Sequence, residues 1–207
     1  VWTLYAFGKN YSKPNIDSSV VANLNKSSIP SFDRWAVRYD DNAAKISDYF
    51  FYGAMPYPIV LLADKAIRKD ALQVYALYWE GMAVTGLLYT AGDYFVDRYR
   101  PETYDLNKPP GDRQSGNEKN SFFAGHPALV ATSTFFTASI YDEYHPNSSF
   151  KWVLYGVAAA ATGATVYLRH IAGKHFPSDL LVGTIVGVGS GMLVPRLHRN
   201  HPGKSHA

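Results

Sequence analysis

The chain has 207 residues, of which 47% are hydrophobic and only 18% charged; this suffices for a full apolar core and excludes disorder over most of the length. A formal net charge of +3 is too small to point to nucleic acid, and the absence of cysteine excludes disulfides and thiolate metal sites. The mean hydropathy of -0.17 conceals a segregated pattern, in which long apolar runs alternate with polar connections.

In chain order, residues 1–30 read as an irregular lead-in, rich in Gly, Asn, Ser, Lys and Pro from residue 8 onward. Residues 31–50 place Phe32, Trp35, Ala36, Tyr39 and Ala43 at helical spacing with charges on the other face, which predicts an amphipathic helix with Ser31 as its N-cap. Five apolar stretches follow, at 49–63, 71–91, 122–141, 152–168 and 180–193, and each predicts a helix. Gly183, Gly187, Gly189 and Gly191 suit close helix packing. Residues 197–207 read as a flexible tail. The expectation is one all-α domain over 1–207, a bundle of about six helices.

The stretch 152–168 carries no charge and 71–91 carries one, Glu80. These lengths approach the ~20 apolar residues that span a bilayer, and they predict a membrane-embedded bundle. Glu80 is read either as an intramembrane functional group or as part of a solvated face. With alternating helices, the basic segment 64–70 and the tail from Arg196 share one end, while 92–121 and 169–178 share the other. A positive cytoplasmic side then puts the second end in the periplasm, with a soluble periplasmic protein as the alternative.

Three polar segments meet at that second end: Arg98-Tyr99-Arg100-Pro101, Ser121 to Pro127, and Arg169 to Asp179. His126 precedes Pro127 and His175 lies two residues before Pro177, so each histidine sits beside a helix N-terminus, where free N–H groups suit a phosphate. Gly125 lets backbone approach an anion, and Arg100 and Arg169 offer bidentate contacts to phosphate oxygens. Asp179, four residues after His175, is placed to accept its Nδ1 proton and leave Nε2 as a nucleophile. His170 reads as structural or exposed, and Lys174 as a solvated turn residue.

The pattern R-x5-H-x3-D at Arg169, His175 and Asp179 resembles the third signature of the type 2 phosphatidic acid phosphatase superfamily. Residues 121–126 resemble the second, S-F-P-S-G-H, and Arg100-Pro101 resembles the end of the first, K-x6-R-P. The resemblance covers residues 71–196 and is carried by the three motifs in order. It implies a metal-independent phosphatase without cofactor, acting on a lipid-linked phosphate or pyrophosphate in a bacterial membrane. It implies that His175 attacks phosphorus, His126 protonates the leaving oxygen, Asp179 orients His175, and Arg100, Arg169 and the Gly125 N–H hold the phosphoryl oxygens. Two positions depart from the pattern: Asp93 stands where the family lysine falls, and Ala124 where the serine falls. Loss of one charged hydrogen bond costs ~1.5–3 kcal/mol, so a weakened phosphate or headgroup binder is one alternative, and a soluble broad-specificity acid phosphatase another. Arg98, Lys119 and Lys174 are the cations near enough in sequence to compensate.

Overall fold

The computed structural model describes residues 13–198, so positions 1–12 of the expected lead-in and 199–207 of the expected tail lie outside the described residues. Among the described residues eight α-helices follow one another: α1 (Ser18–Ala22), α2 (Ser31–Arg34), α3 (Asp41–Ala54), α4 (Lys65–Lys69), α5 (Ala71–Phe95), α6 (Gly125–Tyr144), α7 (Phe150–Ile171) and α8 (Pro177–Leu197). Among the described residues, β pairing is limited to an isolated bridge between Arg98 and Asn120, so the fold is all-α.

Four expectations of local structure change. The lead-in is not irregular throughout, because the Asp17 carboxylate accepts the Ser19 N–H at 2.7 Å and starts α1. The single helix over 31–50 is two: α2 stops at Arg34, and α3 starts afresh where Asp40 accepts the Ala43 N–H at 3.0 Å. Ser31 is the first helical residue rather than the cap, a position taken by Pro30. The helix over 49–63 is broken after Ala54, and Tyr57–Ala63 winds as a 3-10 segment. Pro56 and Pro58 cause the break, since proline lacks the amide hydrogen that an α-helix needs there and crowds the preceding turn.

Helix α6 is the centre of the bundle: 13 of its 20 residues are buried, and it packs against α3, α5, α7 and α8. Its contact with α8 is close because Gly183, Gly187 and Gly191 form one ridge. A Cβ at any of them would collide with the carbonyl oxygens of Ala124, Ala128 and Thr132 respectively. Gly189 faces open space and takes no part. The buried interior carries many hydroxyls, and several of these are satisfied locally. Thr132, Thr134 and Thr137 each donate to the carbonyl four residues back at 2.8–2.9 Å, and the Thr132 and Thr85 hydroxyls meet at 2.7 Å between α6 and α5. The outer faces are the reverse, with Leu72 and Trp79 of α5, Trp152 of α7 and Ile185 of α8 exposed.

One end of the bundle is tied by polar contacts near α4, where His145 Nε2 lies 2.9 Å from Asp64 and the Tyr144 hydroxyl donates to Asp70 at 2.6 Å. The opposite end gathers the close of α5 and α7, the starts of α6 and α8, and the loop between α5 and α6. All three motif segments are there.

Candidate active site

These elements enclose a cavity of about 300 Å³ lined by Arg100, Gly125, His126, Arg169 and His175, together with Asp93. The bundle brings them together from four places. His126 is the second residue of α6, Arg169 lies in the last turn of α7, His175 precedes α8, and Arg100 leads into a 3-10 turn at Pro101–Tyr104. Two glycines make the geometry possible. Gly173 has φ 71°, a left-handed conformation that reverses the chain between α7 and α8. Gly125 lets the Tyr89 ring pack against the α6 start, since a Cβ there would come within 2.8 Å of that ring.

His175 is 3% exposed, and its Nδ1 lies 2.7 Å from the Ser121 carbonyl oxygen. A carbonyl only accepts, so Nδ1 carries the proton and Nε2 keeps its lone pair. Burial, and then the positive charges of Arg169 and Arg100, hold the imidazole well below its ordinary pKa. The ring is therefore neutral at physiological pH.

Asp179 does not play the part that its spacing predicts. It is fully buried, but the Nδ1 proton it was expected to accept goes to Ser121 instead. Its carboxylate accepts the Ser121 hydroxyl at 2.7 Å and the Phe176 N–H at 3.0 Å, and it pairs with Arg98. Arg98 also pairs with Asp33 at 2.6 Å and donates to the Ser178 hydroxyl at 2.9 Å. A carboxylate three residues into a helix turns back onto the amide before it, which is why Asp179 faces its own N-terminus. It reaches His175 indirectly, through Ser121 and the Phe176 amide.

On the other wall, His126 Nε2 lies 3.0 Å from Asp48 Oδ1, and the same oxygen is 3.8 Å from Arg169. Arg169 also reaches the Ser47 hydroxyl at 3.2 Å, and Arg100 donates to Asn117 Oδ1 at 3.2 Å. Asp48 escaped the sequence reading. It lies on α3 with Asp41, Ala44 and Lys45, a face at positions i, i+3, i+4 and i+7 that reads as solvated charge and instead lines the cavity. Its helical register with those residues was the available signal, and only the packing of α3 onto α6 and α7 gives that register a target.

Of the three candidate compensating cations, Arg98 is committed to Asp33 and Asp179, and Lys119 donates to the Pro14 carbonyl at 3.0 Å. Lys174 is not a solvated turn residue. It lines the cavity, and its Nζ donates to both oxygens of Glu102 at 2.8 and 2.9 Å. Asp93 is 2% exposed, while the fully buried Ala124 has its Cβ against Gly183 of α8. Glu80 is at the surface, 3.5 Å from His198, and His170 packs its ring on Trp35 with centroids 4.8 Å apart. Among the described residues no cluster of three or more His, Cys, Asp or Glu side chains is arranged to hold a metal ion.

Comparison with known proteins gives one result. A family model described as the PAP2 superfamily matches residues 74–202, a span that runs from α5 through all three motif segments. No curated protein and no solved structure matches the chain. The family match supports a phosphatase-type hydrolase function. The chain belongs to the PAP2 superfamily.

Proposed function

We propose that the chain is a metal-independent phosphatase that hydrolyses a lipid-linked phosphate or pyrophosphate through a phosphohistidine at His175. One observation carries this reading: a neutral, buried imidazole points its unprotonated nitrogen away from the Ser121 carbonyl in a cavity that also holds two arginines and a second histidine.

Nε2 of His175 attacks phosphorus, and the bond to the leaving oxygen breaks as His126 delivers a proton to that oxygen. Burial, and then the charges of Arg169, Arg100 and Lys174, lower the His126 pKa to about 2. The Asp48 carboxylate 3.0 Å from Nε2 and the negative charge of the incoming phosphate oppose that shift and favour the imidazolium that holds this proton. Arg100, Arg169 and the Gly125 N–H at the α6 N-terminus hold the equatorial oxygens, where charge gathers in the transition state. In the second step His126 takes a proton from water, the water oxygen bonds to phosphorus, and the P–N bond to His175 breaks to release orthophosphate. Asp179 contributes by fixing Ser121 and the α8 start, and through them the imidazole.

The lipid preference and a membrane location are supported by the apolar outer faces of α5, α7 and α8 around a hydroxyl-rich interior, an arrangement that suits lipid better than water. Among the described residues one helix, α8, is long and apolar enough to cross a membrane. Basic residues Lys65, Arg68, Lys69 and Arg196 at the end away from the cavity favour a site that opens to the periplasmic side. A weakened, binding-only relative is the second reading, favoured by an acidic Asp93 in the wall of an anion cavity. Phosphate release from detergent-dispersed lipid phosphates tests the first reading: the parent protein turns over and His175→Ala does not. Equal release by both would sink it, and turnover that emerges only on Asp93→Lys would select the second.

A further inference from the structure

We infer that Lys174 is a third cationic ligand for the substrate's phosphoryl group, presented to the cavity by the buried carboxylate of Glu102. The inference rests on the phosphatase reading above and extends it to a residue that the motifs do not assign. Lys174 directly precedes His175 in the turn between α7 and α8. That turn is held by the left-handed Gly173 and by the Glu102 N–H, which donates to the Gly173 carbonyl at 2.9 Å. The position of the ammonium is therefore fixed relative to the nucleophile, through one short rigid segment.

Charge around Glu102 is unequal. Glu102 is fully buried and accepts from Lys174; Lys108 lies 3.1 Å and Arg100 3.9 Å from the same carboxylate. Lys108 is shared with Glu118 at 2.7 Å, and Glu118 also accepts the Thr103 hydroxyl at 2.9 Å. Three cations thus face two carboxylates, which leaves one positive charge in excess beside an anion cavity. Lys108 and Arg100 between them carry the charge that balances Glu118 and Glu102, so charge balance alone does not require Lys174. Glu102 occupies two of the three ammonium N–H groups, and the third remains for an oxygen in the cavity that Lys174 lines. Burial lowers the proton affinity of Lys174, with Glu102 opposing that effect, and the ion pair keeps the group charged. An ammonium in this place supplies a compact point charge beside the two planar guanidinium groups, which suits a phosphate dianion with three oxygens to satisfy.

The test is the inhibition constant for inorganic orthophosphate, measured as competition against a lipid phosphate with the full chain in detergent. Lys174→Met should weaken orthophosphate roughly tenfold to a hundredfold, the range for a lost charged hydrogen bond, with the unfolding midpoint unchanged because Lys108 and Arg100 still face Glu102. Lys174→Arg should recover most of the affinity. An unchanged inhibition constant in Lys174→Met overturns the inference. So does a weakening that comes with a lowered midpoint and that Lys174→Arg fails to restore, since this is the mark of a structural salt bridge. If the parent and His175→Ala release phosphate equally, the phosphatase reading itself falls; normal parent turnover with unaltered orthophosphate affinity in Lys174→Met removes Lys174 alone.

Discussion

Two networks of buried charge lie back to back at the start of α8, and they are built on opposite terms. Behind the helix, Arg98 bridges Asp33 and Asp179 while Ser121, Ser178 and the Phe176 N–H take up the remaining lone pairs. In front of it, Arg100, Arg169 and Lys174 converge on a cavity of about 300 Å³. The first network is closed, with each charge met by protein. The second is open, with positive charge gathered where a ligand fits. Closed networks hold geometry and open ones bind, and the boundary between them runs through Ser121, which gives its hydroxyl to Asp179 and its carbonyl to His175.

If this division is right, substitutions on the two sides fail differently. The largest effect falls on the open side: His175→Ala should cost at least about a thousandfold in kcat with a smaller loss of stability than Arg98→Ala, measured by phosphate release and thermal denaturation. On the closed side, Arg98→Ala leaves two buried carboxylates facing each other without a cation. It should lower the unfolding free energy by about 3–5 kcal/mol, with the folded fraction losing far less turnover than His175→Ala. Denaturant titration beside kcat separates the two, and a stable but inactive Arg98→Ala would erase the distinction.

Asp48→Asn probes the rim of the open side and should have a smaller effect. It removes the charge beside His126, and kcat should fall about tenfold for alkyl phosphates that need a proton on the leaving oxygen. An aryl phosphate with a good leaving group should lose much less; equal losses would place Asp48 in substrate binding instead.

The smallest effect is on pH. Because the folded pKa of His175 lies below the ordinary value of 6.5, protonation of the nucleophile should not depress kcat between about pH 7.5 and 6. For stability the sign is the same for any imidazole kept neutral by the fold. Above pH 6.5 both states are neutral, and below it the unfolded chain takes up a proton that the folded chain refuses, so stability falls with acid. Replacing His175 by Gln should flatten that acid slope, as read by unfolding midpoints across the range.

The same boundary marks how far the sequence could be read. Motif order and helix periodicity located the cavity wall at Arg100, Gly125, His126, Arg169 and His175, because residue types at helix starts and ends constrain where their backbones go. Partner choice was not legible. Four-residue spacing makes Asp179 a neighbour of His175 in sequence, but the first turn of α8 directs the carboxylate to its own N-terminus and to Arg98 from another segment. Asp48 and Lys174 look like solvated charges until α3 and the Gly173 turn are packed against α6 and α7. Apolar continuity over 49–63 predicts one helix, and Pro56 and Pro58 within it are what break it. The long apolar runs were legible, and the fold adds that large apolar side chains such as Leu72, Trp79, Trp152 and Ile185 lie on their exposed sides; among the described residues α8 is long and apolar enough to cross a membrane.

The central claim is that His175 carries the phosphoryl group between the two chemical steps. The most direct measurement quenches turnover of a lipid phosphate into alkali, where phosphohistidine survives, and maps the modified peptide by mass spectrometry. The account predicts a phosphoryl group on the Nε2 of His175, present in the parent protein and lost in His175→Ala. Steady phosphate release with His175 never modified, or a phosphoryl group found on His126 instead, would contradict it.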